Sequence, residues 1–333
     1  MTSKITLENE DSKKRYENDI LANVFGSQKV KLYKLKNWIF DFGGVMIENT
    51  FVIKNLINII ESDLKVTIPR SDESHYRKLR RQVGSGIISS RVFLEKLFNT
   101  YYYPYQNQGG SLPSKRLNVD YYLELWFQLY SKFARLSTEM EKIVNYLHQA
   151  GYIVSLMSNT FDLHARSNEL RGFYNMFDHV FLSNEIGLRK PDLAKYKYVI
   201  KKLKTKPKKC VFIDDKLQNL IPARQIGMNV IKFESIEKFI KQLEDLGIQD
   251  LSKLSRREIK KKYNEYKLAK KKFKKSKKEY EKAKKDYLKS SSKSSEKKKL
   301  ELQQKYDEFI KQKAEYEKAK QKKKSFVSRV YFH

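Results

Sequence analysis

Asn37-Trp38-Ile39-Phe40-Asp41-Phe42-Gly43-Gly44-Val45 is the stretch whose reading decides the fold. Its apolar run has the character of a short buried strand and delivers one carboxylate, Asp41, to the strand's end. Gly43 and Gly44 then let the backbone turn sharply and come close to a ligand. Many α/β strands end at an aspartate, so this pattern alone says little. Three later stretches, in order, fit the same site. Ser158-Asn159-Thr160 closes the apolar run Ile153–Met157, and Gly187-Leu188-Arg189-Lys190-Pro191 follows. The third, Phe212-Ile213-Asp214-Asp215, has Asn219 behind it.

Working outward, helical spacing dominates from Phe51 to about Leu147. Leu56, Ile59, Ile60 and Leu64 recur at three and four residues, and so do Leu123, Trp126, Phe127 and Tyr130. These periods predict an all-helical insertion after the first strand, interrupted by a Tyr-, Gln- and Gly-rich loop at Tyr101–Pro113. Its tyrosines are read equally as substrate-facing or as a packed, half-exposed loop. After a helix over Thr138–Ala150, stopped at Gly151, strands at Tyr152–Met157, Val180–Leu182, Cys210–Ile213 and Val230–Phe233 alternate with helices. Such alternation predicts a parallel sheet with helices on both faces. Ligands of such sheets sit at the carboxyl ends of the strands, where Asp41, Ser158, Asp214 and Asp215 all fall.

The four stretches resemble the haloacid dehalogenase (HAD) superfamily, from about Leu35 to Phe233. The resemblance implies a Rossmann-like core, a helical cap that closes over the site, and phosphomonoester hydrolysis through an aspartyl-phosphate. In that reading Asp41 is the nucleophile, and Ser158, Asn159 and Lys190 hold the phosphoryl group. Mg2+ is held by Asp41, the carbonyl of Gly43 and Asp215, with support from Asp214 and Asn219. The chemistry suits the residues: an attacking carboxylate needs a cation to screen its approach to an anion, and donors for the equatorial oxygens. The substrate class is a small phosphorylated molecule.

One departure matters. Most phosphatases of the superfamily carry a second aspartate two residues after the nucleophile, which protonates the leaving group; here that position is Gly43. General acid help is worth about two to four decades in rate. Three outcomes stay open: the leaving group needs no proton, another residue or a water supplies it, or the site binds phosphate and turns it over slowly. The pattern aspartate-x-Gly-Gly-Val is similar to the phosphatase domains attached to epoxide hydrolases and to sugar-phosphatase-like proteins. Dehalogenases also lack the second aspartate, but the pair Asp214-Asp215 favours phosphate chemistry. His164 is read as packing near the site and Cys210 as a buried core thiol.

Charge divides the chain. Residues 251–333 carry 31 Lys and Arg against 11 Asp and Glu, and the first 250 carry 39 against 28. A loose extension is expected over 1–33, a HAD-like domain over 34–250 with its cap at about 50–135, a Lys-rich hairpin over 251–324 and a tail over 325–333. Ile259, Tyr266, Phe273, Tyr280 and Tyr287 recur every seven residues, and Leu302, Tyr306, Phe309 and Tyr316 resume the stripe. Two helices folded back on each other would let these coiled-coil-like seams meet. Their lysines suit nucleic acid, another polyanion, or no fixed partner at all. An alternative function follows, a catalytically weak binding module using that basic tail. No apolar run spans a membrane and the N-terminus lacks a secretory pattern. The expected location is cytoplasmic, or nuclear on account of the basic tail.

Overall fold

The computed structural model describes residues 28–29, 34–48, 52–71, 73–103, 117–246, 256–289, 296–324 and 329–330. Five strands form one parallel sheet: β1 (Asn37–Phe40), β2 (Ile153–Ser158), β3 (His179–Leu182), β4 (Cys210–Asp214) and β5 (Asn229–Lys232). Their order across the sheet is β3-β2-β1-β4-β5. Strands covered on both faces must be apolar nearly throughout. Accordingly, every residue of the central strands β1 and β4 is buried.

The register does the functional work. Phe40 pairs with Leu156 on one side and Ile213 on the other. One residue further on, Asp41 therefore lies beside Asp214, and its N–H donates to the Ile213 carbonyl at 2.8 Å. Ser158 ends β2 on the same edge.

Between β1 and β2 the chain makes the expected helical insertion: α1 (Val52–Leu64), α2 (His75–Gly84), α3 (Ser90–Tyr101) and α4 (Val119–Phe133). Ser74, Ser89 and Asn118 cap the last three, each accepting from a backbone N–H in the first turn. Phe93 and Trp126, both fully buried, anchor the packing of α3 on α4. The insertion is not wholly helical at its roots, where Ile47–Glu48 pairs antiparallel with Arg135–Leu136 and ties its two ends together. Residues 104–113 of the expected loop lie outside the described residues; Tyr102 is buried and Tyr103 exposed.

Helices α5 (Thr138–Gln149), α6 (Asp162–Leu170), α7 (Ser183–Ile186), α8 (Leu193–Lys202), α9 (Leu217–Gln225) and α10 (Ile236–Asp245) complete this part of the chain. Phe239 of α10 is fully buried against Phe40 and Phe233. Cys210 is buried in β4, as the sequence indicates, and burial pushes its thiol up to about 12.

A second compact unit takes in Gly26–Lys34 and the chain from Ile240 onward. Its helices α11 (Arg256–Lys289) and α12 (Glu296–Lys324) lie side by side. The aromatic seams meet as the seven-residue repeat requires. Tyr266 packs on Tyr316, Phe273 stacks on Tyr316 with centroids 5.0 Å apart, and Tyr280 stacks on Phe309 at 5.4 Å. Ile20–Phe25 and the polar break Ser290–Ser295 lie outside the described residues. Sequence reading missed a short antiparallel pairing of Gln28–Lys29 with Arg329–Val330. Among the described residues, no helix is long and apolar enough to cross a membrane.

Candidate active site

The carboxyl edge of the sheet opens into a cavity of about 900 Å3, whose wall includes Asp41, Gly43, Ser158, Asn159, Lys190 and Asn219. Asp41 is only 5% exposed. Its Oδ1 accepts from the Phe42 N–H at 2.6 Å and lies 2.6 Å from Lys190 Nζ. Its Oδ2 accepts no hydrogen bond from the described residues. One oxygen is thus fixed and the other is left for chemistry.

Lys190 bridges two carboxylates, reaching Asp214 Oδ2 at 2.7 Å. Burial alone would lower its pKa, but Asp214 and Asp41 outweigh that cost and raise it, so the ammonium stays charged. Asp41 is pushed up to about 7, by burial first and by Asp214 second, against the pull of Lys190. Asp214 is completely buried and its oxygens are taken. They accept from the Lys216 N–H at 2.8 Å and from Asn219 Nδ2 at 2.9 and 3.0 Å, besides Lys190. Asp215 is more open, with its pKa raised mainly by burial, and Lys216 Nζ lies 3.2 Å away.

Asp41, Asp214 and Asp215 each bring an oxygen within 4.8 Å of the others'. Three carboxylates against the ion-paired Lys190 and Lys216 leave negative charge uncompensated, which is the electrostatic condition for a hard divalent cation. Gly44 permits the arrangement. It has φ +88°, and a Cβ there would lie 2.7 Å from Asp215 Oδ2, so any side chain would displace the carboxylate. The donor set fits Mg2+, with Asp41 and Asp215 as the open carboxylates and Asp214 as the one already held by protein donors.

The residues expected to hold the anion differ in what their side chains touch. The Ser158 hydroxyl makes no hydrogen bond to the described residues and lines the cavity. The Asn159 side chain is occupied instead: its Nδ2 donates to the Lys190 carbonyl at 2.7 Å and its Oδ1 accepts the Lys190 N–H at 2.9 Å. That two-bond clasp positions Lys190, so what Asn159 offers an anion is its backbone. Lys195, absent from the sequence-derived set, is fully buried and donates to the Ser158 carbonyl at 2.6 Å. Its pKa falls well below normal through burial first and the nearby Lys190 second. The hint was its place on the apolar stripe of α8, one residue before the fully buried Tyr196.

His164 packs as expected. Its Nε2 accepts from Trp126 Nε1 at 2.8 Å, and its ring stacks on Tyr130 with centroids 3.7 Å apart. Burial holds it neutral, with a pKa lowered to about 3.

The sequence model of the haloacid dehalogenase-like hydrolases matches residues 35–227, more than half of the 333-residue chain. The chain belongs to this family. Among curated relatives, the sesquiterpene phosphatase astK of Aspergillus oryzae is 35% identical over 96 residues, covering 28% of this chain and 48% of that protein. Bifunctional epoxide hydrolase 2 of Rattus norvegicus is 40% identical over 68 residues, 20% of this chain and 12% of the relative. The chain thus matches less than half the length of either relative. A solved HAD family enzyme from Bacteroides thetaiotaomicron, bt-2542, in complex with magnesium and inorganic phosphate, is 21% identical. That comparison covers 62% of this chain and 98% of the other, with a TM-score of 0.48. The HAD core is the parallel sheet that carries Asp41.

Proposed function

We propose that this HAD-like protein is a Mg2+-dependent phosphatase that transfers a phosphoryl group to Asp41 and then to water. The observation that carries the reading is the asymmetry of the Asp41 carboxylate: Oδ1 is pinned by Lys190 and the Phe42 amide, and Oδ2 is unengaged beside the cavity.

Asp41 Oδ2 attacks phosphorus while the bond to the leaving oxygen breaks. Lys190 pulls against the burial that raises the Asp41 pKa and places positive charge beside the reacting oxygens. Ser158 and the amides after it donate to the equatorial oxygens. Lys195 holds the Ser158 carbonyl, and Asn159 holds Lys190, so the anion-facing groups are set before substrate arrives. Asp41, Asp215 and the Gly43 carbonyl would hold Mg2+, whose charge screens the approach of one anion to another. Water then cleaves the aspartyl-phosphate, releasing phosphate and restoring the carboxylate.

The test is hydrolysis of a panel of phosphorylated metabolites with Mg2+ and with chelator, for wild type and Asp41→Asn. Metal-dependent turnover lost in the variant supports the reading. A folded protein that binds Mg2+ but turns over nothing in the panel contradicts it.

A second reading rests on α11 and α12, whose rings pack together while lysines such as Lys270, Lys271, Lys272 and Lys274 face solvent. In that reading the hairpin contacts nucleic acid or another polyanion, and binding weakens steeply as salt rises. Binding that survives Asp41→Asn but disappears without the lysines would support it.

A further inference from the structure

The cavity wall carries more positive charge than one phosphoryl group and its metal require. Lys190 is spent on Asp41 and Asp214, and Lys216 on Asp215. Arg77, Arg80, Arg81 and Arg189 line the same cavity. The first three lie at i, i+3 and i+4 of α2, hence on one face of the helix, where like charges repel unless something anionic lies between them.

Their partners are few. Among the described residues, Arg80, Arg81 and Arg189 make no ion pair with any carboxylate. Asp41 and Asp192 are the carboxylates that the described cavity wall contains. Arg189 is held against α2: its Nη1 donates to the Arg81 carbonyl at 3.3 Å, and its guanidinium carbon lies 3.5 Å from where a Cβ on Gly84 would be. Its Nε is buried and has no hydrogen-bond partner. Burial first, and then Arg80 and Arg81, lower its pKa. The end of α2 is also fixed to the core, because Ser183 Oγ donates to the Gly84 carbonyl. Arg189 is therefore held in place beside α2, and Arg80 and Arg81 lie on the same cavity wall.

Among the described residues of that wall, three beside the Asp41 end supply no proton to a leaving group. Gly43 has no side chain, His164 is a hydrogen-bond acceptor shut in by Trp126 and Tyr130, and Asn219 is spent on Asp214. A leaving oxygen that gains no proton departs as an anion, which is easy for a phosphate, with a pKa of about 6, and hard for an alcohol, near that of water at roughly 15.7.

We propose that the substrate's leaving group is itself a phosphate held by Arg80, Arg81 and Arg189, so that the site cleaves a diphosphate rather than a simple phosphomonoester. The inference rests on Asp41 as the attacked carboxylate. Oδ2 of Asp41 forms a bond to the terminal phosphorus, and the bond from that phosphorus to the bridging oxygen breaks. The electron pair stays on the bridging oxygen, which leaves as part of a phosphate or a phosphate monoester without needing a proton. Water then attacks the aspartyl-phosphate, and its proton leaves with the second phosphate or to solvent.

The experiment compares matched pairs, hexyl diphosphate with hexyl phosphate and ADP with AMP, in Mg2+. Titration calorimetry of inorganic pyrophosphate and inorganic phosphate runs alongside. The expected result is a kcat/KM at least about 100-fold higher for the diphosphates. In Arg80→Gln and Arg189→Gln that ratio shrinks by roughly tenfold or more, and Arg80→Lys, which keeps the charge, retains most of it. Monoesters turned over as well as diphosphates, or a ratio untouched by either glutamine variant, overturns the proposal. No turnover of any compound defeats the phosphatase reading separately, and calorimetry then decides. Pyrophosphate bound at least tenfold tighter than phosphate, with the margin lost in Arg80→Gln, keeps the paired-anion site, and equal binding overturns it.

Discussion

Lys190 Nζ and Asp41 Oδ1 lie 2.6 Å apart with both side chains all but inaccessible to water. A buried pair of this kind gains little over an apolar substitute, but losing one partner strands the other. Lys190→Met should therefore destabilise the protein by about 3–5 kcal/mol, since it removes the cation that both Asp41 and Asp214 pair with. Urea denaturation reads this directly. A loss under 1 kcal/mol would mean that the pair is not formed in solution.

Gly44→Ala tests the close approach of Asp215. The new Cβ would meet Asp215 Oδ2 at 2.7 Å, and alanine resists the φ of +88°. A cost of about 1–3 kcal/mol is expected, together with a weaker Mg2+ dependence of whatever turnover remains. An unchanged half-saturating Mg2+ concentration would remove Asp215 from the metal site.

His164 makes a prediction about acid. Above pH 6.5 the ring is neutral in both folded and unfolded chains and has no effect. Below that, the unfolded chain takes up a proton that the folded one refuses until about pH 3, so stability falls as pH falls. The slope from this one group approaches about 1.4 kcal/mol per pH unit. His164→Gln, which can still accept from Trp126, should flatten the pH dependence of stability between pH 6 and pH 4 by about one proton. Equal slopes for the two proteins would show that the ring is protonated when folded.

The hairpin can be probed at Phe273, whose ring lies against both Tyr316 and Phe309. Phe273→Ala should cost roughly 1–3 kcal/mol, the sum of two ring pairs and some lost area. Hydrogen exchange on the full chain should accelerate in α11 and α12 and stay unchanged in β1 and β4. Acceleration in the sheet strands as well would mean that the two units unfold together.

The part of the site that sequence made legible is the part made by strand ends. Asp41, Ser158 and Asp214 are each fixed by an apolar run that stops beside them, and the register between neighbouring strands brings them together. The aromatic seams of α11 and α12 were legible for a similar reason, because a seven-residue repeat is itself a statement about which residues share a face. Groups placed by contacts distant in sequence were not. The clasp of the Asn159 side chain on Lys190, 31 residues away, leaves no signal in the sequence. Lys195 is absent from the sequence-derived set, and its bond to the Ser158 carbonyl spans 37 residues. Arg80 and Arg81 look like an ordinary solvated helix face. Only the packing of α2 against the segment ending at Arg189 turns that face into the wall of a cavity.

The central claim is that Asp41 carries the phosphoryl group during turnover. Acid quenching of the enzyme during steady-state hydrolysis, followed by mass analysis of its peptides, reads that intermediate. The account predicts one added phosphoryl group on the peptide containing Asp41, dependent on Mg2+ and missing in Asp41→Asn. Turnover that persists in Asp41→Asn, or that proceeds in wild type with the phosphoryl group on another residue, would contradict it.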